Sequence, residues 1–195
     1  MIDPRVRDVL SRLEERDARE RETGVARSER LRQVTPEVGR FLHTLVLASR
    51  PATVLEIGSS GGYSTLWLAS AARVVGSLVT TLEIDPVKVI LAKKSLVDAG
   101  LGDVAQIVEG DAFAYLRSRS DEVGFCFLDA EKEDYGAFFD AVVPLLAPGG
   151  VLVADNILSH EEELAPFTAR VLADERMSAV AVPIGRGELL AVRLP

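Results

Sequence analysis

Apolar residues along this chain fall into two alternating patterns. The runs at 53–57, 78–83, 105–108, 123–128 and 151–154 are mostly apolar, which is how strands buried on both faces of a parallel sheet read. Between them lie stretches with apolar residues three and four apart, the period of an amphipathic helix: 63–72, 86–98, 112–117, 135–146 and 161–173. A helix opening at Pro36, with Thr35 as its cap, precedes the first strand and carries Val38, Phe41, Leu42, Leu45 and Val46 on one face. Pro148-Gly149-Gly150 is expected to end the helix over 135–146. Two last strands, 178–182 and 188–194, are joined by Pro183-Ile184-Gly185-Arg186-Gly187 and read as a hairpin. The rhythm predicts an α/β fold, a doubly wound seven-stranded sheet that is mostly parallel with one antiparallel edge strand.

Residues 5–22 predict a further helix with a narrow apolar stripe of Val6, Val9, Leu10 and Leu13. Beyond Leu13 it is nearly all charge, so residues 1–32 are expected to form a solvated helical extension, with dimer contact as the alternative. No internal repeat or linker breaks the pattern, and residues 1–195 read as a single domain.

Composition changes this picture little. The net charge of −8 argues against a nucleic-acid partner, although residues 1–40 are the exception with 10 Arg against 9 acids. The single cysteine, Cys126, excludes an intramolecular disulfide and lies inside an apolar strand, where inert packing is expected. No signal-peptide pattern opens the chain and no apolar run approaches a membrane span. A cytoplasmic protein without a membrane partner is the expectation. Trp67 is expected in the core, His43 packed or at the surface, and His160 in a solvated loop.

Chemistry enters where two apolar strands end in acid. Phe125 to Leu128 is followed by Asp129, Ala130, Glu131 and Lys132; Val151 to Ala154 is followed by Asp155 and Asn156. In an open α/β sheet, ligands bind beyond the carboxyl ends of the strands. If these strands are neighbours, Asp129, Asp155 and Asn156 converge and offer three oxygen ligands to a hard divalent cation. Taken singly, Asp129 could cap a helix and Asp155-Asn156 could make a turn. Lys132 offers a proton acceptor, while its neighbours Glu131, Glu133 and Asp134 also allow a solvated charge run.

A second feature is the glycine-rich turn Gly58-Ser59-Ser60-Gly61-Gly62 after the first strand. Glu83 ends the second strand 25 residues after Gly58, where a carboxylate can accept hydrogen bonds from a ribose diol. An adenosine-containing ligand is expected. The dinucleotide pattern G-x-G-x-x-G fails at Ser60, and Glu56 just before the loop would repel a pyrophosphate. The same acid could orient the cationic methionine part of S-adenosyl-L-methionine.

Together these residues resemble the cation-dependent class I O-methyltransferases, the catechol and caffeoyl-CoA type. The resemblance runs from about Gln33 to Leu194. It rests on Thr35-Pro36-Glu37-Val38-Gly39-Arg40-Phe41-Leu42, Leu55-Glu56-Ile57-Gly58, Gly62-Tyr63-Ser64, Glu83-Ile84-Asp85, Gly110-Asp111-Ala112, Phe127 to Lys132 and Ala154-Asp155-Asn156. It implies a Rossmann-like methyltransferase sheet and S-adenosyl-L-methionine as methyl donor. Asp129, Asp155 and Asn156 would bind Mg²⁺ (or Mn²⁺ or Ca²⁺), and Lys132 would be the general base. Glu83 would hold the ribose, Gly58, Ser64 and Glu56 would lie at the methionine part, Asp111 and Ala112 near the adenine, and Val34 and Asp129 would also border the cofactor. The acceptor would be a small catechol-like molecule and the assembly a homodimer. Methylation of a hydroxylated tRNA base is the alternative, favoured by the basic N-terminal segment and opposed by the overall charge. Two departures bear on the acceptor: the chain is short for an acceptor-shaping insertion, and Arg186 stands between two glycines where an acid often sits.

Overall fold

The computed structural model describes residues 2–26 and 29–195. Seven strands form one sheet: β1 (Thr53–Ile57), β2 (Leu78–Glu83), β3 (Ala105–Glu109), β4 (Val123–Leu128), β5 (Leu146–Ala154), β6 (Met177–Val182) and β7 (Glu188–Arg193), in the order β3-β2-β1-β4-β5-β7-β6. β1 to β5 pair in parallel, which requires crossover connections, here helical. The antiparallel member of the final hairpin, β7, lies between β5 and β6, so β6 forms the edge.

The helices divide between the two faces. α1 (Pro4–Glu22), α2 (Pro36–Ser49), α3 (Tyr63–Val75) and α4 (Pro86–Asp98) cover one, and α5 (Ala112–Ser118), α6 (Tyr135–Val142) and α7 (Glu161–Ala173) the other. Alternation along β4 feeds both cores: Phe125 and Phe127 face the first group, Cys126 and Leu128 the second. Cys126 is fully enclosed and burial raises its thiol pKa, which keeps it an inert packing residue. Trp67 packs in the first core, with half-buried His43 edge-on at 6.1 Å. No described helix is long and apolar enough to cross a membrane.

Two local expectations are corrected. The stripe of α1 is buried against α3 and α4, and Tyr63 donates its hydroxyl to Glu14 at 2.6 Å. The charged half of α1 faces solvent, but its apolar half is core. Pro148-Gly149-Gly150 does not end a helix: α6 stops at Val142, a 3₁₀ turn follows, and β5 already begins at Leu146. The strand absorbs the Pro-Gly-Gly segment through a register shift against β4 between Val123 and Phe125.

Candidate functional site

The order β2-β1-β4-β5 places four strand ends side by side, and the chain reverses its winding between β1 and β4. A cavity of about 1000 Å³ opens over this switch point. Val34, Gly58, Ser64, Glu83, Asp111 and Ala112 lie on its wall, as do Asp129, Lys132 and Asn156. Glu56 and Asp155 stand behind the wall, both buried.

One end of the cavity is built from the β1–α3 turn. The Gly58 N–H bonds to the Leu82 carbonyl at 2.9 Å, with φ at +94°. A Cβ at this position would collide with the Asp129 carbonyl, so glycine lets the turn pass tightly against the end of β4. Glu83 leaves β2 and folds under this turn. Its Oε2 accepts the Ser60 N–H at 2.7 Å, and its Oε1 accepts the N–H groups of Ile84 and Asp85 at 3.0 Å each. Three backbone donors fix the carboxylate and leave acceptor capacity on Oε2 facing the cavity.

Glu56 lies on the far side of the turn. Its Oε2 accepts the Thr65 hydroxyl at 2.5 Å, and its Oε1 has no partner. Burial pushes its carboxyl up to about 7, with the hydroxyls of Ser64, Thr65 and Thr81 acting the other way. The Glu56 side chain points towards the first core, because alternation along β1 sends it where Val54 points.

The other end collects the acids. The Asp129 N–H bonds to Ile57 O and the Asp155 N–H to Leu128 O, which extends the ladder by one rung at each strand end. Asn156 then turns the chain with φ at +73°, a left-handed conformation that asparagine tolerates better than most residues. Tyr135, fully enclosed at the start of α6, sets its hydroxyl 3.2 Å from the carbonyls of both Leu128 and Asp155. It ties the ends of β4 and β5 together, and burial holds its pKa well above the ordinary value.

Lys132 is not part of a solvated run. A 3₁₀ turn over Lys132–Asp134 folds it back until its side chain is 11% exposed. Nζ meets Asp129 Oδ1 at 2.9 Å, the Ala130 carbonyl at 3.0 Å and the Tyr135 hydroxyl at 2.9 Å, so all three ammonium hydrogens are engaged. Glu131 turns outward instead and pairs with Arg32 at 2.6 Å.

Negative charge is in surplus here. Burial, and then the charge of Asp129, push Asp155 up to about 6. Glu188 is wholly buried as the first residue of β7, in line with Asp155 across the β5–β7 ladder. Its carboxyl lies against that of Asp155, and burial next to that acid raises its pKa strongly, so the two can share a proton. Asn156 Nδ2 is also buried without an acceptor, so hydrogen bonding does not fix which way its amide faces. Among the described residues, no three His, Cys, Asp or Glu side chains form a ready metal cage. The candidate set combines two aspartates with an amide oxygen, and its hard donors and excess charge suit a divalent cation chemically.

Several residues at this site had no clear sequence signal. Phe113, stacked on Phe138 at 4.1 Å, lines the cavity two residues beyond Asp111. An aromatic just inside a helix cap at a strand end was the available clue. Tyr135 and Glu188 carry no motif and act through tertiary contact alone. His160 and Arg186 also reach the cavity wall.

Comparison with known proteins agrees with this architecture. A family model described as O-methyltransferase matches residues 11–194. A catechol O-methyltransferase of Niastella koreensis is 36% identical over 129 residues, 64% of this chain and 58% of that protein. Among solved structures, an O-methyltransferase from Bacillus cereus in complex with SAH superposes with a TM-score of 0.80 at 27% identity, covering 95% of this chain and 90% of that one. A methyltransferase from Geobacter sulfurreducens gives a TM-score of 0.82 at 25% identity, covering 100% and 91%. With nearly its whole length matched by the family model and its cavity at the switch point of the sheet, the chain belongs to the O-methyltransferase family.

Proposed function

We propose that this protein is an S-adenosyl-L-methionine-dependent and divalent-metal-dependent O-methyltransferase acting on a small catechol-like acceptor. The observation that carries the proposal is the pairing, around one cavity, of an immobilised Glu83 on its wall with the half-buried Asp129 on the same wall and the buried Asp155 just behind it. The first end suits a ribose diol, for which Glu83 Oε2 keeps acceptor capacity. Ala112, Asp111 and the Phe113–Phe138 stack offer an adenine a flat apolar wall with a polar edge. Gly58, Ser64 and Val34 border the space between this end and the acids. The SAH complex of the Bacillus cereus relative supports this donor.

Asp129, Asp155 and the Asn156 amide oxygen are the residues that would hold Mg²⁺ or a similar ion. Such an ion would supply Lewis acidity towards two vicinal hydroxyls. The chain's own part is alignment and proton handling. A lone pair of the acceptor oxygen forms the new O–C bond while the C–S bond breaks. Its electrons return to sulfur, turning the sulfonium into a thioether. The hydroxyl proton goes to Lys132 Nζ in its uncharged form; Tyr135 and Asp129 hold that nitrogen at the cavity wall. Orientation and electrostatic complementarity account for most of the rate. The homodimer implied by the resemblance has a fitting face in Val87, Ile90 and Val97, which lie exposed along one side of α4.

The tRNA alternative draws on Arg21, Arg30 and Arg32 at the cavity rim, but Arg21 is paired with Asp17 and Arg32 with Glu131. Those charges are already met, which favours the small molecule. A methyl-transfer screen of catechols and undermodified tRNA, each with Mg²⁺ and with EDTA, tests the reading. Catechol methylation that EDTA abolishes and Mg²⁺ restores is expected; undiminished turnover in chelator would overturn the metal requirement.

A further inference from the structure

Beside Asn156 the cavity holds a guanidinium that no carboxylate among the described residues pairs with. Arg186 lines the cavity with Asn156, Lys132 and His160. It sits at the tip of the turn between β6 and β7, and that turn is clamped to the chain leaving β5. Ile157 N bonds to Gly187 O at 2.9 Å, and the N–H groups of Leu158 and Ser159 both reach Arg186 O, at 3.1 and 3.0 Å. The flanking glycines make this close fit necessary. Gly185 and Gly187 both have positive φ, and a Cβ on either would collide with Val38 or Leu158. The backbone at Arg186 is thereby held beside the residues that follow Asp155.

Among the described residues, four other cations at the wall are engaged. Lys132 is on Asp129, Arg32 on Glu131, Arg21 on Asp17, and Arg30 donates Nε to the Val25 carbonyl. Lys88 belongs to the opposite end, in the first turn of α4 beside Asp85. Among the described residues no carboxylate lies within 4.0 Å of the Arg186 side chain, although Glu163 lines the same cavity. In a chain with net charge −8, a cation left unmatched beside the acceptor space leaves a planar fork of donors for the ligand itself.

We infer that Arg186 is a specificity-determining residue and that the preferred acceptor is a vicinal dihydroxy aromatic bearing a carboxylate on the ring or on a short side chain. This rests on the catechol reading proposed above. The hydroxyls face Asn156 and Lys132 while the carboxylate pairs with the guanidinium, which sets the register of the ring in the cavity. The benzoate and benzamide of one catechol differ in charge and hardly in shape, so they isolate this contact.

The test measures kcat/KM with Mg²⁺ for 3,4-dihydroxybenzoate and 3,4-dihydroxybenzamide in the wild type, Arg186→Gln and Arg186→Lys. The wild type should prefer the benzoate by about tenfold or more, mainly through KM. Arg186→Gln should bring the ratio close to one, and Arg186→Lys should leave an intermediate ratio, since it keeps the charge and loses the fork. SAH affinity in each variant verifies folding. Methylation of both compounds with the same ratio in wild type and Arg186→Gln would overturn the role of Arg186 and leave the catechol reading standing. Methylation of neither overturns the catechol reading and this inference with it. Methylation of undermodified tRNA alone, weakened by Arg186→Gln and by salt, would assign the guanidinium to a phosphate instead.

Discussion

The two ends of the cavity are made of the same parts, a parallel strand ending in an acid, and yet they are in opposite electrostatic states. At the β2 end, Glu83 accepts three backbone N–H groups and looks onto the cavity with its hydrogen bonds nearly complete. At the β4 and β5 ends, Asp129, Asp155 and Glu188 crowd together against one ammonium, and Glu188 faces the carboxyl of Asp155 with no cation of its own among the described residues. A carboxylate held by backbone donors is a preorganised acceptor for neutral hydroxyl groups. A group of buried acids with too few counter-charges is stable only with a proton or a cation among them. The contrast shows how one fold can complete the hydrogen bonding of an acid at one strand end and leave charge to be balanced at the next.

The sharpest way to break the comparison is to remove an acid from the crowded end. Asp155→Ala is expected to lower methyl transfer by about a hundredfold or more while SAH affinity stays within about tenfold, roughly 1.4 kcal/mol. Calorimetric titration alongside turnover checks this, and a collapse of SAH binding would show the two ends to be one unit. The converse change is Glu83→Ala. It removes the acceptor of three backbone donors and should weaken SAH about thirtyfold or more, without altering the stabilisation that Mg²⁺ gives in a thermal melt.

An effect of another kind, on stability and not on turnover, is expected between the two ends, at Glu56. Its folded-state value of about 7 lies above the ordinary 4.5, so the native state holds this proton more tightly than the unfolded chain. The associated stability is complete below about pH 4.5 and is lost as pH rises through 7. Relative to Glu56→Gln, the wild type should therefore lose up to about 3 kcal/mol between pH 5 and pH 8. Urea unfolding of both proteins at several pH values measures it; parallel curves would show that Glu56 stays charged throughout.

Much of the fold was legible because periodicity and punctuation agreed. Thr35 caps the helix it announced, and in the structure Asp85 and Asp111 cap α4 and α5 in the same way, each side chain accepting backbone N–H groups. The cavity residues from Gly58, Glu83 and Asp129 were readable because strand ends are marked by the change from apolar to polar. The failures have a common cause. α1 looked solvated because a four-residue stripe is too narrow to reveal what covers it, and α3 and α4 supply that cover. Pro148-Gly149-Gly150 looked like punctuation, but β4 tolerates a register shift there. For Lys132 the sequence left a proton acceptor and a solvated charge run both open, and the 3₁₀ turn folds it inward, away from Glu131.

By itself the sequence determined the alternation of strand and helix, the glycine that the first turn demands and the positions of the acids along the chain. These are local properties: period, cap and steric allowance act over a few neighbouring residues. Only the tertiary structure decided that Glu56 faces inward while Glu83 faces the cavity, that Glu188 comes to lie beside Asp155, and that the Arg186 guanidinium reaches the cavity wall beside Asn156 with no carboxylate among the described residues to pair with. Those outcomes depend on which strand becomes whose neighbour. The pairing of β5 with β7 joins residues more than thirty positions apart, and the energy of a charge depends on every group it meets there.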